Sequence, residues 1–167
     1  HHPVLHVLMV GYCLEFAYNI WGSYNIGIAI YTFIQMLLLA CVFAYALRFF
    51  RCYRVASWGR LTMLLFWGLS PIVQLFAVSV TKDTLFAGAF LLFILMLTDI
   101  KCRSEEFWGS KRKKILFIVS ALGTMILRNN GMYVILIMLV LMGIVLHKWW
   151  KKYLPLVAVI ITVYGIY

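Results

Sequence analysis

Apolar residues run along this chain in blocks too long for strand alternation and too continuous for an amphipathic stripe. Residues 26–47 carry only Thr32 and Gln35 as clearly polar side chains, and about 20 apolar residues suffice to cross a bilayer as a helix. Residues 61–79 form a second block, in which Gly68-Leu69-Ser70-Pro71 predicts a kink. Residues 85–98 form a third, short enough that it must extend towards Ile100 with snorkelling ends. Residues 115–127 and 132–146 read as two further short spans, and 154–167 opens another. One helix over 115–146 would run about 48 Å with Arg128 near its middle, so the pattern is split at that charge. Ahead of these blocks, residues 3–19 are apolar but interrupted by His6, Gly11, Glu15 and Asn19. Glu15 is costly in lipid, which predicts an interfacial or re-entrant helix closed by a turn at Gly22-Ser23-Tyr24-Asn25.

The polar stretches between the blocks alternate in charge. Arg48, Arg51, Arg54 and Arg60 share one loop, and Lys101, Arg103, Lys111, Arg112, Lys113 and Lys114 fall in the charged segment 99–114. Lys148, Lys151 and Lys152 share a third. With one crossing per block these lie on one side of the membrane, leaving only Lys82 and Arg128, of 15 basic residues, on the other. The positive-inside rule makes the basic face cytoplasmic and the Lys82/Arg128 face extracytoplasmic. Trp58, Trp108, Trp149 and Trp150 flank the basic loops, as interfacial residues do.

Composition fits this reading. Hydrophobic residues make up 65% of the chain and charged ones 12%, with mean hydropathy +0.99, so the expected class is an all-α, polytopic helical bundle of about six spans or part-spans. No loop is long enough to hide a soluble domain, so residues 1–167 read as one transmembrane domain. The chain opens on His1 and stops within an apolar run, which gives the expectation of a piece of a longer protein. The net charge of +10 sits in short loops between spans, which bilayer topology explains and nucleic-acid binding does not. Cys13, Cys41, Cys52 and Cys102 form no C-x-x-C pair, and His1, His2 and His6 lack partners at zinc-ligand spacing.

Candidate chemistry gathers on the sparsely charged face. Lys82-Asp83 sits at a hairpin tip and has two readings. One is a self-neutralising pair with Asp83 as helix N-cap. The other has Lys82 holding a phosphate while Asp83 orients it, binds a metal ion or accepts a proton. Arg128-Asn129-Asn130-Gly131 is either a polar loop with Gly131 at positive φ, or a guanidinium beside two amides suited to an anionic or polyhydroxyl ligand. His1 and His2 are further polar candidates on that face. The Lys82 and Arg128 turns are expected to converge on one anionic group.

Several stretches together resemble a family of uncharacterised bacterial multi-span proteins, itself similar to the GT-C membrane glycosyltransferases. They are His1-His2-Pro3-Val4-Leu5-His6, Asn25 to Tyr31, Gln35 to Ala40, Thr81-Lys82-Asp83 and Leu127 to Gly131. His2-Pro3-Val4-Leu5 resembles the His/Lys-Pro-Pro-Leu element of those enzymes, with Val4 replacing the second Pro. Arg128-Asn129-Asn130-Gly131-Met132 resembles their Arg/Lys-x-x-Gly-Leu element, in the expected order.

The resemblance implies transfer of a sugar from a polyprenyl-phosphate carrier to an envelope acceptor, outside the bacterial cytoplasmic membrane. It also implies membrane lipids as surroundings and a divalent metal ion as candidate cofactor. The essential acidic residue of those enzymes lies upstream of the Pro-Leu element, hence ahead of residue 1. Within the chain, Asp83 is the candidate catalytic carboxylate, with Lys82, Arg128, Asn129, Asn130, His1 and His2 for substrate and phosphate. Two rivals stand beside this reading. A lipid or lipid-linked-sugar flippase would use the same cations without chemistry, and a non-catalytic membrane subunit would use its polar face to dock a partner.

Overall fold

The computed structural model describes residues 4–166, so the candidates His1 and His2 lie outside the described residues. Every regular element among those residues is helical, and they fall into two units, His1–Gly88 and Ala89–Tyr167, with the boundary inside one helix.

In the first unit, α1 (Val4–Trp21) and α2 (Tyr24–Cys52) form an antiparallel hairpin. Ring contacts run from Tyr18–Tyr24 beside the turn to His6–Tyr31 far from it. The turn is only Gly22 and Ser23, and Gly22 supplies the φ of +67° that it needs. Tyr24 and Asn25, expected in the turn, instead open α2. The helices meet closely at Gly27, where an added Cβ would lie 2.7 Å from Leu14 Cα. Small residues permit such approach where packing rather than water drives helix association. Gly27, Tyr31 and Gln35, at i, i+4 and i+8, form one buried stripe of α2, while Phe33 and Leu37 are exposed.

The kink expected near Pro71 is a full break. α3 (Ser57–Leu69) and α4 (Pro71–Val78) meet at 55°, with Ser70 extended at φ −67°, ψ 117° and Pro71 opening α4. Proline pushes the preceding residue out of the helical region and withholds an N–H. The side-chain amide of Gln74 donates to the Gly68 carbonyl that the break releases. Phe43 of α2 stacks on Trp67 of α3 with centroids 4.4 Å apart.

α5 (Lys82–Cys102) runs 21 residues, so the third block is longer than the 85–98 expected from its apolar core. Its first part belongs to the first unit, where Gly88 faces Leu39 and Val42 of α2. In the second unit Phe93 stacks on Phe117 of α7 (Lys111–Leu127), joined edge-on by Phe107 of the short α6 (Ser104–Gly109). The segment 99–114, expected as a charged loop, is therefore helical except at Arg103 and Ser110. Ser110 caps α7 by accepting from the Lys113 N–H.

α8 (Asn129–Val145) is separated from α7 by Arg128 alone, where the pattern was split. After one 3-10 turn, His147–Trp149, α9 (Trp150–Ile166) returns against α7 and α8. The buried Tyr153 hydroxyl donates to Leu139 O of α8 at 2.9 Å.

Among the described residues α2 and α5 are long and apolar enough to cross a membrane, and the bent α3–α4 pair makes a third if it is one span.

Candidate functional site

The Lys82-Asp83 pair is held by residues far from it in the chain. α4 ends at Val78, and its last carbonyls have no partner within the helix, a costly state in apolar surroundings. Gln35 of α2, only 1% exposed, supplies the missing donor. Its Nε2 donates to Ala77 O at 3.0 Å and Ser79 O at 2.8 Å, with Phe76 O at a longer 3.4 Å. The buried Thr84 hydroxyl, in the first turn of α5, donates to Phe76 O at 2.7 Å. The Thr81 and Thr84 hydroxyls lie 3.2 Å apart, and Ser79 Oγ donates to Phe76 O at 3.0 Å. The link 79–81 is thus fastened at both ends by one amide and three hydroxyls.

Lys82 opens α5 and is half-buried; Asp83 follows and is exposed. The N-cap role considered for Asp83 is corrected. Because Lys82 is already helical, Asp83 lies inside the first turn, where its charge favours the helix dipole without capping.

Two buried polar atoms on α2 have no hydrogen-bond partner: Gln35 Oε1, left over once Nε2 is committed, and Tyr31 Oη one turn away. The Tyr31 ring meets His6 of α1 edge-on at 5.6 Å. The sequence reading noted Gln35 as one of two polar residues in its block, but Ser79, Thr84 and Tyr31 were not singled out. The available signal was an amide deep in an apolar run, where polar groups are expensive and kept for a reason.

Arg128 is the second candidate centre. It is exposed and extended, with φ −148° and ψ 126°, at the N-cap position of α8. Its carbonyl accepts from the Gly131 N–H at 2.8 Å. Asn129, Asn130 and Gly131 form the first turn of α8 instead of a loop, with Asn130 exposed. The positive φ considered for Gly131 is also corrected. Gly131 is helical and buried, and among the described glycines positive φ belongs to Gly22. Lys82 and Asp83 thus share one turn of the first unit, and Arg128 and Asn130 one turn of the second.

A third charged group escaped the sequence reading. Asp99 of α5, 3% exposed, forms an ion pair with Lys113 Nζ of α7 at 2.6 Å, and Glu106 lies 3.8 Å from the same nitrogen. Arg103 pairs with Glu106 three residues on. One lysine of the basic 99–114 segment is therefore committed inside the protein. Among the described residues no three His, Cys, Asp or Glu side chains gather as a metal would require. The donor set for the implied divalent ion is not met by these residues, and no chemical step is routed through one.

A family model described as "Family of unknown function (DUF6020)" matches residues 1–167, and the chain belongs to that family. No curated protein and no solved structure matches it.

Proposed function

We propose that the protein is a polytopic, GT-C-like glycosyltransferase of the bacterial cytoplasmic membrane, with about six spans or part-spans. It takes a sugar from a polyprenyl-phosphate carrier to an envelope acceptor on the extracytoplasmic side. The observation that carries the reading is the fastened turn at 79–84. It sets a cation and a carboxylate at the head of α5, with two unspent buried polar atoms on the neighbouring α2.

In such a transfer the bond from the sugar's anomeric carbon to the carrier phosphate oxygen breaks, and a bond to the acceptor oxygen forms. The acceptor proton passes to a base, and the carrier phosphate leaves with the bonding pair. Lys82 would hold that phosphate as a point charge, aided by the free N–H groups of the first turn of α5. Arg128, exposed at the N-cap of α8, would meet the same class of ligand, with Asn130 exposed in the turn that follows. Asp83 would accept the acceptor proton.

The test is sugar transfer by full-length protein in membranes, with lipid-phosphate binding measured alongside. A charge-assisted contact contributes about 1.5–3 kcal/mol, so Lys82→Ala or Arg128→Ala should cost roughly 10- to 200-fold with expression intact. Full activity in both Lys82→Ala and Asp83→Asn would return the turn to a structural role.

The 55° break between α3 and α4 favours a second reading, a transporter for a lipid-linked sugar, since broken helices line such substrate paths. Movement of the lipid-linked sugar between leaflets without acceptor, and no transfer with it, would select that reading.

A further inference from the structure

We infer that the α8–α9 hairpin carries a separate binding site for an anionic phospholipid, independent of the glycosyl-transfer reading and of its candidate residues. Two adjoining features match the two ends of such a molecule.

The first is an apolar groove of about 240 Å³. Leu136, Val140 and Gly143 of α8 form one wall, and Trp150, Val157 and Ile161 of α9 the other. α9 packs more closely on α7 than on α8, so the hairpin opens along that side. Tyr153 is buried against it with its hydroxyl committed to Leu139 O, so its ring presents a non-polar surface there. Gly143 keeps the groove open, having only Tyr153 Cε1, at 3.6 Å, beside the place of a Cβ. From Leu136 to Ile144 the groove follows α8 for about 12 Å, a length suited to part of an acyl chain.

The second feature lies at the turn where the groove begins. Lys148, Lys151 and Lys152 line a recess with Trp149 and Trp150, and Trp150 lines the groove as well, so the two adjoin at that side chain. Lys151 and Lys152 fall in the first turn of α9, at the positive end of its dipole, which favours an anion there. Trp149 is set in place by stacking on Trp108 at 6.3 Å, and Lys152 Nζ lies 4.9 Å from its ring centre. Among the described residues no acidic side chain lines either feature; Glu105 and Glu106 line the neighbouring recess that shares Trp149, together with Arg103. An apolar groove adjoining a recess of three lysines complements a ligand with an apolar tail and a negative head. Lys82 and Arg128 take no part in it.

The test uses the full chain, purified and returned to nanodiscs of phosphatidylcholine containing a minor fraction of phosphatidylglycerol, with retained lipid counted by native mass spectrometry. Three cations near one head group should favour phosphatidylglycerol on the order of 10- to 100-fold. The triple change Lys148→Gln, Lys151→Gln and Lys152→Gln should abolish that preference while leaving phosphatidylcholine retention unchanged. Val140→Trp, at a position 65% exposed and so free to vary without unfolding the hairpin, should block the groove and lower retention of both lipids. Wild-type protein with no preference, or a preference that survives the triple change, would overturn the site. Tighter retention of a polyprenyl phosphate, lost on the same three changes, would overturn the assignment to phospholipid.

Discussion

Replacing Gln35 by Leu should loosen the end of α4 without unfolding the unit. An amide has two hydrogens, so of the three carbonyls within reach of Nε2 the two shorter contacts, to Ala77 O and Ser79 O, count most. Hydrogen bonds between helices in membranes contribute about 0.6 kcal/mol on average and up to about 1.7, so two give about 1–3 kcal/mol. Against this, the leucine also removes Oε1, a buried acceptor with no protein partner, whose relief offsets about 1–3 kcal/mol of global stability. The two effects separate by place. Global stability should change little, while the last turn of α4 and the link to α5 lose their tie. Amide exchange across residues 74–84 is the measurement, and about 1–3 kcal/mol corresponds to roughly 5- to 150-fold faster opening there. Thr84→Val, which removes the shortest of the contacts to Phe76 O, should act in the same segment. Unchanged exchange across 74–84, or acceleration spread evenly along the chain, would refute the argument that Gln35 fastens this turn.

Three further outcomes are expected. Gly27→Ala should cost about 1–3 kcal/mol in thermal unfolding, because its Cβ meets the α1 backbone at Leu14 Cα and Cys13 O, whereas Gly11→Ala, with nothing within 4 Å, should not destabilise. Lys113→Met removes the cation from the buried Asp99 and should cost about 1–3 kcal/mol, less than for a fully buried pair because Lys113 is a quarter exposed. Adding Asp99→Asn should restore much of that loss, and no recovery would mean that the pair is not what Lys113 contributes. Single cysteines in a background free of native ones should be labelled by an impermeant external reagent at position 129 and protected at 110; the reverse pattern would invert the topology.

The blocks were legible because long unbroken apolar runs favour helices over strands, and the break at Ser70 because proline constrains its predecessor. Helix ends were less so. Arg48 and Arg51 lie inside α2, Lys82 and Asp83 inside α5, and Lys111 to Lys114 inside α7, although each charge was read as the edge of a loop. A helix continues through charged residues at little cost once long side chains can reach polar surroundings, so hydropathy marks the apolar core of a helix and not its termini. What the sequence hid most fully was pairing at a distance. Gln35 meets carbonyls more than 40 residues away, and Asp99 meets Lys113 on another helix. Neither partner carries a local pattern that names the other. The turn at 82–83 was visible as charge, but its fastening by Gln35, Ser79 and Thr84 was not.

That fastening leaves the role of Lys82 to be decided by electrostatics. A cation at the first position of a helix opposes the helix dipole, and the unfavourable interaction is about 0.3–1 kcal/mol, less where water screens a half-exposed group. Asp83, in the same first turn, has the favourable sign. If the lysine served only to hold the turn by neutralising Asp83, Lys82→Gln should lower stability. If it is kept for an anionic ligand, removing it should leave the unliganded protein equally stable or slightly more so, since glutamine has a similar helix propensity. The same variant should then lose phosphate binding. Asp83→Asn should do the opposite to stability, lowering it by a comparable few tenths to 1 kcal/mol. Unfolding of the two variants without ligand, set beside their lipid-phosphate binding, separates the cases. A Lys82→Gln protein that unfolds at clearly lower temperature and binds phosphate normally would assign the pair to structure. One that is as stable as the parent and fails to bind would assign Lys82 to the ligand, because a helix gains nothing by keeping a cation at its positive end.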